Sequence, residues 1–269
     1  MGRSDRLSCI TPCHSEGSAN VSQVSLSRCC GSCSGVRRAL RFRAAAQNVI
    51  LVHGALVDGS GWRGVYERLV AKGLKVTVVQ EPNTSLADDV QAVHRAIEQQ
   101  NGPVVLVGHS YGGQIITEAG VDPKISALVY VAAIVPDVGE GVGDLFEKWP
   151  SPTADAFKAT SDGFLLFDPA KFRAGFAADL SKAETDFMTD SQVPVSAKIL
   201  GTKTQHAAWK TKPSYGIVAG LDMAISAEAE RSMYKRASAK VTEVPGASHA
   251  VYISHPGEVA DVIAEAASK

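Results

Sequence analysis

Three residues of this chain, far apart in sequence, have the types and the order that nucleophilic chemistry needs: a serine, then an aspartate, then a histidine. Ser110 lies in Gly108-His109-Ser110-Tyr111-Gly112, behind the apolar run Val104-Val105-Leu106-Val107 and ahead of a stretch that suits a helix. Strand, G-x-S-x-G and helix are the context of a nucleophile elbow. The turn is so tight that the serine must take strained backbone angles, and the glycines let neighbouring backbones approach. A serine hydroxyl is a weak nucleophile near neutral pH and needs a base. His249 lies in the loop after the last apolar strand, at the sheet edge where α/β proteins bind ligands. His255 is its rival, but it abuts Pro256 at a helix start and suits capping better. His94 falls on a helix surface, His109 inside the elbow points away from the hydroxyl, and His53 is placed to brace a loop.

The base in turn needs a carboxylate to hold its tautomer and stabilise the imidazolium. Asp222 ends the strand before His249 and lies between Ser110 and His249 in chain order, the order Ser…Asp…His of this kind of sheet-borne triad. Asp137, after the fourth strand, is the alternative. Acyl transfer also requires N–H donors for the tetrahedral oxyanion. The backbone N–H of Tyr111 is one. Ala55, after His53-Gly54, is the best second donor, with Leu56 behind it.

The elements that must position these groups alternate regularly from Asn48 onward. Apolar strands are predicted at 48–53, 75–79, 103–108, 126–132, 214–220 and 240–244. Helices lie between them, one opening at Ser85 as N-cap and one closing the chain from Pro256, with Glu258 able to cap it. Strand-helix-strand units of this length imply parallel pairing, hence an α/β sheet of about six strands with helices on both faces. Residues 136–212 interrupt the alternation with short helical pieces and no clear strand, and read as a small helical cap inserted after the fourth strand. Its aromatics Trp149, Phe157, Phe164, Phe167, Phe172 and Trp209 either line a pocket or form the cap's own core.

Composition narrows the function classes. The 269 residues are 45% hydrophobic and 20% charged with a net charge of −1, which argues against a general nucleic-acid surface. No apolar run is long enough to span a bilayer. Residues 1–46 differ from the rest: they hold all five cysteines and seven arginines against Asp5 and Glu16, a net +5 that leaves −6 for the remainder. This segment reads as a leader or disordered extension, with residues 47–269 as the folded domain. Its Arg- and Ser-rich composition suits a transit peptide, and translation begun upstream of the natural start accounts for it equally well. Cys9, Cys13, Cys30 and Cys33 have roughly the spacing of a zinc site, but few bulky apolar residues lie between them to pack around a metal. A cytoplasmic location is expected unless this leader redirects the chain.

The segments ILVHGALVDGSGW (50–62), VLVGHSYGG (105–113), VAGLDMAI (218–225) and VPGASHAVYISHP (244–256) together resemble the α/β-hydrolase family over about residues 48–268. The likeness is greatest to its small esterase-like branch of plant methylesterases, hydroxynitrile lyases and bacterial carboxylesterases. The resemblance implies a Ser110–His249–Asp222 triad, an oxyanion hole from Ala55 and Tyr111, a helical cap, and a sheet without the family's first antiparallel strands. The reading that follows is hydrolysis of a small to medium carboxylic ester through an acyl-enzyme, with no cofactor or metal; the oligomeric state, monomer or homodimer, stays open. Lyases of this branch carry a lysine after the histidine and a threonine after the first loop histidine, where this chain has Ala250 and Gly54. Esterase chemistry is therefore preferred over cyanohydrin cleavage, and over service as a non-catalytic small-molecule receptor.

Overall fold

A computed structural model describes residues 45–269. The expected leader, apart from Ala45 and Ala46, and all its cysteines lie outside the described residues. In chain order the elements are β1 (Asn48–Val52), α1 (Arg63–Ala71), β2 (Lys75–Val78), α2 (Leu86–Glu98), β3 (Val104–His109), α3 (Gly112–Ala119) and β4 (Ile125–Val131). An insertion follows, with α4 (Val142–Lys148), β5 (Phe157–Ala159), β6 (Phe164–Phe167), α5 (Pro169–Phe176), α6 (Lys182–Asp190), β7 (Val195–Ser196) and α7 (Lys198–Gly201). The alternation resumes with β8 (Ser214–Ala219), α8 (Ala227–Arg236), β9 (Lys240–Val244), α9 (Val251–Ser254) and α10 (Pro256–Ala267).

Six strands form one parallel sheet in the order β2-β1-β3-β4-β8-β9. Its central strands are apolar on both faces because helices cover both. Ile50, Val52, Leu106, Leu128 and Tyr130 pack into one core with α2, α3 and α8. Their neighbours Leu51, Val105, Val107, Val129 and Val131 pack into the other with α1 and α10. The parallel pairing places the C-terminal ends of β3, β8 and β9 along one edge, with β3 near the centre. Among the described residues no helix is long and apolar enough to cross a membrane.

Local signals set the boundaries. Ser85 caps α2, its hydroxyl accepting the Asp88 N–H at 3.1 Å, and Leu86, Val93 and Ile97 bury the apolar face. Gly73, at φ +83°, ends α1: the N–H groups of Gly73 and Leu74 turn back to the carbonyls of Val70 and Leu69 at 2.9 and 3.1 Å. Pro256 opens α10 as expected, but Glu258 does not cap it; His255 holds the N-cap position and no side chain closes that end.

The insertion departs from the expected all-helical cap. Strands β5, β6 and β7 form a separate antiparallel sheet. They are three, four and two residues long, and β6 is the unbroken apolar run Phe164-Leu165-Leu166-Phe167, so no alternating pattern could betray them. Two backbone bonds tie this layer to the sheet's loops: Val193 N–H to Leu56 O at 3.1 Å and Ser196 N–H to Asn83 O at 2.8 Å.

Beneath that junction lies a buried polar group. Asp89 accepts the Asn83 N–H at 2.8 Å and the Tyr111 hydroxyl at 2.9 Å, joining a turn held at positive φ to the residue after Ser110. Burial raises the Asp89 carboxyl to about 6, against the hydrogen bonds from Tyr111 and Asn83. Neighbouring Glu81 is pushed well above the ordinary range, again chiefly by burial. An unfolded aspartate titrates near ~3.9. Between that pH and about 6 the folded state therefore holds the extra proton, and stability contributed by this residue falls as pH rises through the window. Thermal unfolding should show Asp89→Asn gaining on the wild type between pH 4 and pH 8. A gap in melting temperature that stays constant with pH would contradict the assignment.

Candidate active site

Ser110 sits in the turn between β3 and α3 at φ +55°, the left-handed region that a non-glycine residue adopts only at a cost. Its N–H donates to Val131 O at 3.2 Å, and its carbonyl accepts the N–H groups of Gly113 and Ile134 at 2.9 and 3.2 Å. Glycines are required here by space. A Cβ at Gly108 would lie 2.5 Å from Gly112 O, and one at Gly112 would lie 2.6 Å from His53 O. The strain and the close packing raise the hydroxyl above the end of β3.

His249, in the loop after β9, brings Nε2 to 2.8 Å from Ser110 Oγ. Its Nδ1 lies 2.6 Å from Asp222 Oδ2, in the loop after β8. The other oxygen of Asp222 accepts the N–H groups of Ala224 and Ile225 at 2.7 and 2.8 Å. Both His249 and Asp222 are buried. The arrangement fixes the imidazole with Nδ1–H toward the carboxylate and Nε2 free to accept the serine proton.

The other sequence candidates fall elsewhere. Asp137 pairs with Lys210, and His255 packs against Ser254 with Asp179 at 3.7 Å. His53 is a brace: its Nδ1–H donates to Gly54 O at 2.8 Å and its Nε2 accepts the Glu81 N–H at 3.3 Å. His109 lies fully buried with Nε2 at 2.9 Å from His249 O, holding the backbone of the histidine loop. Burial drives the pKa values of both rings down, that of His109 well below the ordinary value, so neither carries charge.

Ala55, Leu56 and Tyr111 border the hollow over Ser110. Among the described residues, the N–H groups of Ala55 and Tyr111 have no acceptor in the protein. The Tyr111 N–H also precedes α3, whose positive end faces the hydroxyl. The hollow is walled by aliphatic and aromatic side chains. Of the cap aromatics named from sequence, Phe157 and Phe167 line it; Phe172 is buried in the core, and Trp209 bonds Pro136 O.

Sequence reasoning missed the residues by which the cap holds the histidine loop. Ala250 N–H donates to Phe176 O at 3.1 Å, and Asp179 accepts the Ser248 hydroxyl and N–H. Phe176 also stands edge-on to the His249 ring, centroids 4.7 Å apart. These residues lie in the cap, where no motif marks them; the Ser248-His249 dipeptide was the only available hint.

Residues 49–262 match the family model described as the alpha/beta hydrolase family. Alpha/beta hydrolase nvfD of Aspergillus novofumigatus is 27% identical over 242 residues, covering 82% of this chain and 96% of its own. Methylesterase 7 of Arabidopsis thaliana is 27% identical over 251 residues, covering 82% and 96%. Among solved structures, a pyrethroid hydrolase from Sphingobium faniae superposes with a TM-score of 0.71 at 22% identity, covering 82% of this chain and 97% of that one. With the parallel sheet, the elbow and the match over most of its length, this chain belongs to the α/β-hydrolase family.

Proposed function

We propose that this protein is a serine hydrolase that cleaves neutral, apolar carboxylic esters of small to medium size through an acyl-enzyme intermediate. The observation that carries the reading is the unbroken hydrogen-bonded line Ser110–His249–Asp222 at the floor of an apolar hollow. Ester hydrolysis is also the activity named for the methylesterase relative.

In this mechanism Ser110 Oγ attacks the ester carbonyl as its proton passes to His249 Nε2. The carbonyl oxygen becomes an oxyanion facing the N–H groups of Tyr111 and Ala55. Collapse breaks the bond to the alcohol oxygen, which takes the proton from His249 and leaves. Water then attacks the acyl-enzyme, giving its proton to the same nitrogen. The acid departs and Ser110 recovers its proton. Asp222 stays put throughout, stabilising the imidazolium.

The walls argue for the substrate class. Among the described residues bordering the hollow, the ionisable side chains are His249 and Tyr111, whose hydroxyl is engaged by Asp89. An ionised acyl group would shed its hydration and find no partner. The lyase alternative is disfavoured at Gly54, where any Cβ would lie 2.7 Å from Ser110 Cβ.

Two measurements test the proposal. A fluorophosphonate probe should give a single adduct at Ser110, and Ser110→Ala should lower kcat on p-nitrophenyl butyrate by about a thousandfold or more. Full activity in that variant would overturn the serine mechanism. Against wild type, p-nitrophenyl esters with an uncharged acyl chain should exceed the hemisuccinate ester in kcat/KM by about a hundredfold, the cost of stranding one carboxylate among apolar walls. Equal turnover of the two would rule out the apolar substrate class.

A further inference from the structure

Behind Asp222 stands a second carboxyl group that the mechanism above does not use. Glu230, in the first turn of α8, is completely buried. Its Oε2 accepts the Ala219 N–H at 3.0 Å, while among the described residues no N–H or hydroxyl reaches Oε1. The Ala219 backbone ties this carboxyl to Asp222: its N–H donates to Glu230 Oε2 and its carbonyl accepts the Asp222 N–H at 3.1 Å, so that the two buried carboxyl groups interact. Two carboxylates that interact away from water cannot both be ionised, so one of them holds a proton.

The donors decide which. Asp222 accepts two backbone N–H groups and the His249 Nδ1–H, whereas Glu230 accepts one N–H. Adjacent Arg231 favours a charge on Glu230 only weakly, since it forks onto Glu243 at the surface and counts for less than burial and the nearby Asp222; Tyr234 and Tyr130 are themselves buried phenols. Burial and the nearby Asp222 charge push the Glu230 carboxyl well above its ordinary range.

We infer that Glu230 is a positioning residue: as a neutral acid it donates a hydrogen bond to the Asp222 carboxylate and so fixes that carboxylate against His249. This rests on the reading of Ser110, His249 and Asp222 given above. An ionised Glu230 would instead repel Asp222 and add a second negative charge near the imidazole.

The test is steady-state kinetics of the full chain on p-nitrophenyl butyrate, with Glu230→Met, Glu230→Gln and Ser110→Ala beside the wild type. Glu230→Met, which removes the donor at similar length, should lower kcat about tenfold or more, the loss of a hydrogen bond to a charged group. KM should hold, because Glu230 does not border the hollow. Glu230→Gln, whose amide N–H can replace the acid proton, should recover most of the rate. The acidic limb of its kcat–pH profile should coincide with that of the wild type, because a neutral group has replaced a neutral group. A limb moved to lower pH would mean that the glutamine had removed a negative charge, and would overturn the inference. So would wild-type kcat in Glu230→Met, or a glutamine variant as impaired as the methionine one. Should Glu230→Met fail to fold, the rate and limb of Glu230→Gln decide by themselves. Activity surviving in Ser110→Ala would instead strike the underlying mechanism, independently of Glu230.

Discussion

The left-handed backbone of Ser110 is the constraint on which the rest of the site depends. Such a conformation costs a non-glycine residue on the order of 1–3 kcal/mol and persists only where surrounding structure over-determines it. Here the surroundings are backbone. Ser110 is bonded through its N–H to β4 and through its carbonyl to Gly113 and Ile134, and the loop after β1 passes so close that Gly112 has no room for a side chain. Any relaxation of the turn toward ordinary helical angles would swing Oγ away from His249 and draw the Tyr111 N–H out of line. In the proposed mechanism, hydroxyl position and oxyanion donor are thus two consequences of one strained turn.

The cap contributes to this geometry as well as to the pocket. The histidine loop is held from three sides: His109 bonds the His249 carbonyl, Phe176 O accepts the Ala250 N–H, and Asp179 accepts from Ser248. Two of these partners belong to the inserted segment. The same segment pairs with Leu56 in the loop after β1 and with Asn83 in the loop after β2. Changes in the cap are therefore expected to reach the reacting atoms through backbone, without touching a substrate.

How far the sequence discloses this follows from the range over which each signal acts. The six sheet strands and their order of appearance are legible because each is a local apolar run flanked by amphipathic helices. The meeting of Ser110, Asp222 and His249 is legible because each lies just beyond a strand end, and parallel topology gathers strand ends on one edge. The rival acids and bases were separated only by tertiary facts: Asp137 finds Lys210, and His255 turns toward Ser254. The cap strands escaped notice because two to four residues cannot establish a period. Glu230 escaped for another reason. At a helix's first turn a glutamate reads as a favourable surface charge near the dipole, and only its complete burial reverses that reading.

That reversal bears on why the site works with so many titratable groups close together. His53 and His109 are held neutral by burial, and Glu81 and Glu230 are driven toward their protonated forms by the same cause. Asp222 differs from them in its donors: three N–H groups converge on it, enough to replace the water it has lost. Burial thus works against a charge on each of these four groups, while Asp222 keeps three N–H partners. In the proposed mechanism, the charge that forms as the serine proton moves to His249 meets the Asp222 carboxylate on the far side of the same ring. A fold that buried these groups without distinguishing their donors would offer the proton several destinations, and the hydroxyl no particular reason to surrender it to His249.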